Sequence, residues 1–327
     1  SGDGGFAAYN RNRLVNIGGS AAQLMWGSGG FVPDGNALIL ATADSTNTVT
    51  FVNPISLGTG LSTNQQREFR IGNAGSVTVD AIIAGVISGS ISNDFLKTGA
   101  GRVFLAANNS FTGRLLITQG TVAITNETGL NKLTATSGFR EDALTLDGGT
   151  LALAGAANFT ITNAQRGIYL GPNGGIIDVA SSRTHTITNT RISGDGNLTK
   201  AGSGALQMYM ASNTYSGRTI VSGGALVIDS EEDLGFEPGS FVSNQLQMAG
   251  GTLRTLGGNN STLLLDDPNR GIQLTADSSF DVNAISKTMI ISNQITGAAG
   301  QDLIKIGAGL MILGGSNDYL GATVVRQ

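Results

Sequence analysis

One motif is written three times along this chain at a single long period. It reads KTGAGRVFLAANNSFTGRLLITQGTVAI over residues 97–124, KAGSGALQMYMASNTYSGRTIVSGGALVI over 200–228 and KIGAGLMILGGSNDYLGATVV over 305–325. Superposition pairs Lys97, Lys200 and Lys305; Gly99, Gly202 and Gly307; Gly101, Gly204 and Gly309; Asn109, Asn213 and Asn317; Gly113, Gly217 and Gly321. Gly120 pairs with Gly224, and Phe111, Tyr215 and Tyr319 each follow the asparagine by two positions. A period of about 103 residues is far beyond a single repeat unit of roughly 20–50 residues, so each long repeat holds several coils that gain stability by stacking on their neighbours. The match runs on outside the motif. Gly148-Gly149-Thr150-Leu151 answers Gly250-Gly251-Thr252-Leu253, and Arg166-Gly167-Ile168 answers Arg270-Gly271-Ile272.

Between turn signals the chain offers only strand-length apolar segments, such as Val103-Phe104-Leu105, Leu115-Leu116-Ile117, Leu226-Val227-Ile228 and Gln245-Leu246-Gln247-Met248. Asn-Gly, Ser-Gly and Gly-Gly pairs separate them. Long stripes of helical period are not evident; residues 80–84 and 230–234 have room for a turn or two of helix at most. Strands this short, joined by tight turns, cannot each find a partner within one coil. Pairing equivalent strands of successive coils in parallel satisfies the backbone and stacks like side chains into ladders. The sequence therefore predicts an all-β, single-stranded parallel β-helix with coils of about 20–25 residues.

Its expected organisation is one continuous solenoid: degenerate coils with insertions over 1–95, a first long repeat over 96–197, a second over 198–303, and the start of a third over 304–327. Ile87-Ser88-Gly89 echoes Ile192-Ser193-Gly194 and Ile295-Thr296-Gly297, which ties the N-terminal part to the same plan. The motif glycines are expected at corners that need positive φ or close approach of coils. Asn109, Asn213 and Asn317 are expected to turn an amide inward onto the corner backbone and the next coil, in residues that tolerate the left-handed region.

Composition narrows the function classes. The chain is 40 % hydrophobic but only 13 % charged, and Thr, Asn, Ser and Gly supply its polar surface. A net charge of −4, with no basic stripe interleaved with aromatics, argues against nucleic acid as a partner. There is no cysteine, hence no disulfide framework or thiolate metal site. No apolar run is long enough to span a bilayer, so no membrane insertion by this chain is expected.

Leu198, Lys200, Gly202, Gly204, Leu206, Met208, Asn213, Tyr215, Gly217, Thr219, Val221, Gly224 and Leu226 resemble the autotransporter-associated β-strand repeat of bacterial passenger domains and large repetitive surface proteins. The first copy departs at Phe111 and Leu115, and the third stops before its final Gly-x-Leu. The resemblance implies a right-handed β-helix exported across the outer membrane, extracellular or on the bacterial surface, serving as a stalk or scaffold.

A catalytic reading has few residues to use. The carboxylates that a glycosidase would need are sought in Asp266-Asp267 with Asp281, and the bland alternative is a solvated turn at Asp266-Asp267-Pro268-Asn269. The one histidine, His185, lacks the flanks of a triad or a polysaccharide-degrading site and reads as a polar strand residue. Glu231-Glu232-Asp233 reads as an exposed loop cluster. The expectation is a non-enzymatic structural segment without cofactor or metal. End-to-end self-association into a filament is the alternative, because an open β-helix end exposes unpaired strands. An adhesin would need an exposed aromatic platform or a long insertion loop, and neither is clear; a host receptor or glycan is not specified.

Overall fold

The computed structural model describes residues 2–28, 31–58, 65–209, 212–257 and 261–326. All the strand pairings resolved are parallel, and each joins a strand to one in the neighbouring coil. Among the described residues there is no α-helix; three short 3₁₀ segments, Glu127–Gly129, Ala135–Ser137 and Glu231–Leu234, interrupt the strands. The 80–84 stretch is strand over Ala81–Ile83, because Ala81 and Ile83 bury on one face. The fold is the parallel β-helix expected from the sequence.

The chain forms two compact units, one of residues 1–155 with 165–169, the other of residues 156–164 with 170–327. In the first unit, strands alternate between a sheet containing Ala37–Leu40, Gln65–Ile71, Asn93–Thr98 and Leu115–Ile117 and one containing Val49–Phe51, Ala81–Ile83, Arg102–Leu105 and Thr121–Ile124. A short third sheet holds Leu24–Met25, Ile55–Ser56 and Ile87–Ser88. Burial alternates along Val49–Phe51, Gln65–Ile71, Ala81–Ile83, Arg102–Leu105 and Leu115–Ile117, following the two-residue period of an extended chain. In Gln65–Ile71 it is Arg67, Phe69 and Ile71 that point in. Like residues then stack between coils: Phe69 lies on Phe95 with ring centres 4.1 Å apart and planes within 9°, and Phe111 continues the stack at 6.1 Å.

In the second unit one coil runs from Val242–Met248 through Thr252–Thr255 and Thr262–Leu265, and returns at Arg270–Leu274 to pair with its own first strand. The motif does not keep to one face of this unit. Lys200 lies on Leu198–Ala201, which pairs with Thr219–Val221, whereas Lys305 lies on Leu303–Ile306, in the sheet that also holds Ala205–Tyr209. From the second copy to the third the motif thus advances by one face. The long repeat is therefore not a whole number of coils, which a linear period could not reveal.

Coils also vary more than the expected 20–25 residues. Gly4 pairs with Leu38 and Leu38 with Phe69, so the N-terminal coils need about 30 residues or slightly more, while the motif coil from Leu96 to Leu116 takes about 20. The motif coils are short because an asparagine hook replaces their third strand.

Candidate functional site

The hook is built the same way in the first two copies, and its accepting half recurs in the third. Asn109 Oδ1 accepts from the Ile87 N–H at 3.0 Å in the coil behind, and its Nδ2 donates to Gly129 O at 2.7 Å in the coil ahead. Asn213 spans Ile192 N and Asp233 O at 2.9 and 2.8 Å, and Asn317 accepts from Ile295 N at 2.9 Å. The echoed tripeptides are thus the seats of the motif asparagines, a relation visible in the sequence only as an unexplained likeness. None of the three asparagines has a positive φ, which corrects the left-handed expectation: the side chain bridges coils from ordinary backbone. Phe111 and Tyr215 are fully buried beneath these corners. The Tyr215 hydroxyl lies 2.6 Å from Thr219 Oγ1, and burial pushes its phenol well above the usual range.

The motif lysine closes the opposite corner. Lys97 is buried, and its Nζ donates to three carbonyls: Thr98 O at 2.8 Å, Gly99 O at 2.6 Å and, in the next coil, Gln119 O at 3.1 Å. Lys200 does the same to Ala201, Gly202 and Gly223 at 2.7, 2.9 and 2.9 Å, and Lys305 donates to Gly307 O. Three N–H donors meeting three acceptors use the whole hydrogen-bonding capacity of an ammonium. Gly99, at φ +74°, presents one of those carbonyls from a conformation that residues with a Cβ rarely adopt.

Burial lowers the Lys97 pKa to about 7 and that of Lys200 to about 8, with Asp80 and Asp178 respectively pulling weakly the other way. Between about pH 7 and the unfolded value of 10.5, the unfolded chain holds a proton that folded Lys97 has released, so stability rises with pH across that window. Wild type will therefore gain on Lys97→Met by up to about 1.4 kcal/mol per pH unit there. Urea midpoints of the two proteins on either side of the window test this; a constant difference would refute the assignment.

A third device lies outside the motif. Arg270 is 2 % exposed, and its Nη atoms donate to Leu234 O at 3.0 Å and Gly235 O at 3.2 Å, while Nε lies 3.1 Å from Glu231 Oε1. Glu231 Oε2 also accepts from the backbone N–H groups of Asp266 and Asp267 at 2.8 and 3.0 Å. In the first unit Arg166 pairs with Glu127 and bonds both Asn131 O and Asn131 Oδ1. Each guanidinium thus pins a 3₁₀ segment to a later coil. The repeated Arg-Gly-Ile marked this device in the sequence without disclosing its partners.

Two sequence readings need correction. Glu231-Glu232-Asp233 is not a solvated cluster: Glu231 is the partner of Arg270, and Asp233 is 2 % exposed, with burial raising its pKa to about 7. Nor is Asp266-Asp267 simply a solvated turn, since Asp267 is 8 % exposed and its Oδ1 accepts from Asn269 N. Glu231, Asp266, Asp267 and Arg270 line a groove of about 470 Å³ with Glu232, Glu237, Leu264 and Pro268. Asp281 is not in that lining; it pairs with Arg254 at 2.6 Å. His185 is fully buried, its Nδ1 accepts from Phe159 N at 3.1 Å, and its ring packs on Phe159. Exposed aromatics that sequence reasoning passed over are Phe139, Phe236 and Phe241.

Parallel coils locked by buried asparagine, lysine and arginine side chains define a repetitive β-solenoid protein. The passenger-associated-transport-repeat family model matches residues 95–124, 198–228 and 303–327, the same three copies. Over 246 residues, 71 % of this chain, the sequence is 31 % identical to the adhesin BmaC autotransporter of Brucella suis biovar 1 (strain 1330). The chain spans 7 % of that relative's length. No solved structure matches the chain. The three copies are passenger-associated-transport repeats, and this likeness to autotransporter passengers indicates a secreted, cell-surface protein.

Proposed function

We propose that this chain is a non-enzymatic scaffold segment of a bacterial surface adhesin, whose work is to propagate a rigid β-helix outside the cell. The observation that carries this reading is the use made of the repeated polar residues. Lys97, Asn109, Lys200 and Asn213 bond the backbone of neighbouring coils and are buried, so duplication kept what stacking needs. The likeness to an autotransporter adhesin supports the setting. Forming outside the cell without cysteines, such a segment relies on ladder hydrogen bonds and these internal staples.

Electron microscopy of the purified chain tests the reading: isolated particles are expected. Long unbranched fibres would favour end-to-end assembly instead. Polysaccharide turnover by the purified chain that disappears in Asp267→Asn would overturn the non-enzymatic reading.

A further inference from the structure

The two long repeats share one scaffold but not one surface. Hydrogen-bond register fixes their correspondence: Asn109 bonds Gly129 O as Asn213 bonds Asp233 O, and Lys132 N donates to Phe111 O as Phe236 N donates to Tyr215 O. At the positions flanking the shared glutamate and arginine, the first repeat has Thr128, Lys132, Leu133, Thr162 and Asn163. The second has Glu232, Phe236, Glu237, Asp266 and Asp267. A β-helix coil is therefore built at this place without any of those acids; Glu232 bonds the coil behind through Ser212 Oγ, but stacking does not explain Glu237, Asp266 or Asp267.

The acids converge on the groove described above. Glu232, Glu237 and Asp266 are exposed on it; Glu232 accepts from Ser212 Oγ at 3.2 Å, but the three like charges repel one another across the groove. Among the described residues Arg270 is the only cation in its lining, and it is spent on Glu231 and the backbone. Asp267 is more than nine-tenths buried, yet its Oδ2 accepts no hydrogen bond and its ion pair with Arg270 is loose, at 3.8 Å. A buried carboxylate oxygen left without a donor is a costly arrangement that a cationic donor would relieve. Apolar surface adjoins it: Leu264 in the lining is 43 % exposed, and Phe236, between Gly235 and Glu237, is 59 % exposed.

We propose that this groove docks a basic peptide segment of a partner protein, whose Lys or Arg side chains enter among Glu232, Glu237, Asp266 and Asp267 while its apolar residues rest on Leu264 and Phe236. No group of three acidic or histidine side chains among the described residues is placed to hold a metal ion, so the negative charge is spread for an extended cation. The apolar shelf favours a peptide over a small polyamine. This inference goes beyond the scaffold reading and stands or falls separately from it.

The test uses the whole chain and a fluorescein-labelled peptide of alternating Lys and Leu, with a Glu-and-Leu peptide as its counterpart, followed by fluorescence anisotropy. The basic peptide is expected to bind saturably and less tightly as salt rises, and the acidic one not to bind. Glu237→Lys with Asp266→Lys, both at exposed positions, should weaken binding by about tenfold or more with an unchanged thermal midpoint. Glu141→Lys, on an exposed glutamate of the other unit, should leave it unchanged. No binding by wild type, undiminished binding by the double variant, or equal loss in Glu141→Lys would each overturn the proposal. Isolated particles in the microscope alongside any of these results would leave the scaffold reading intact.

Discussion

Arg270→Ala will destabilise the second unit by about 3–5 kcal/mol, the range for breaking one side of a buried ion pair. The guanidinium is 2 % exposed and ties Leu234 O, Gly235 O and Glu231 into one assembly with Asp266 and Asp267. Its removal leaves the Glu231 carboxylate, whose side chain is only 13 % exposed, without its counter-charge although Asp266 N, Asp267 N and Asn293 Nδ2 still donate to it, and takes a donor from Leu234 O and Gly235 O. Arg270→Lys will not restore the loss, because one ammonium cannot reproduce the planar fork that reaches three groups at once. Arg270→Met with Glu231→Gln will cost less than the sum of the single changes, since the charge left behind has been removed too. Urea denaturation followed by circular dichroism reads all three; a loss under about 1 kcal/mol for Arg270→Ala would mean that water replaces the guanidinium at little cost.

Gly113→Ala will cost the first unit about 3 kcal/mol or more, or prevent folding outright. A Cβ there would sit 1.9 Å from Asn93 O, a backbone atom of the coil behind. That atom cannot yield easily, because the Asn93 side chain is fixed to Gly58 O at 3.1 Å and Ser90 Oγ at 2.9 Å. The φ of Gly113 is not positive, so the demand is for space between coils and not for backbone freedom. Gly239→Ala provides the contrast: nothing lies within 4 Å of the added Cβ, and the expected change is within about 0.5 kcal/mol. Thermal midpoints of the two variants measure the difference directly.

How much of this was legible in the sequence depended on whether a residue's partner was local. The strands were legible, because alternation is imposed by the neighbouring residues of one strand, as in Phe69 and Ile71. Parallel stacking followed from strands too short to pair within a coil. The motif asparagines were expected to bridge a corner to the next coil, but their seats at Ile87, Ile192 and Ile295, 21 or 22 residues back, emerged only once the coils were wound. The acids were misjudged for the same reason. Glu231 and Asp267 look like loop residues when read in line; Arg270 and the stacked coils turn them inward. Exposed Phe236 and Leu264 carry no sequence signal at all, because apolar residues in a β-rich chain are assigned to the core by default.

The amino-acid sequence determined by itself that this is a duplicated array of short parallel strands with glycine corners, because repetition and the two-residue period are local properties of a chain. Tertiary structure decided which face each copy of the motif occupies, which carbonyls Lys97 and Lys200 hold, and that the acids of the second repeat share one groove. Those facts depend on coil length and winding, which bring together residues separated by 20 to 36 positions. A small change in the length of any coil would rotate or shift everything after it, and no pattern of residue types along a line encodes that angle.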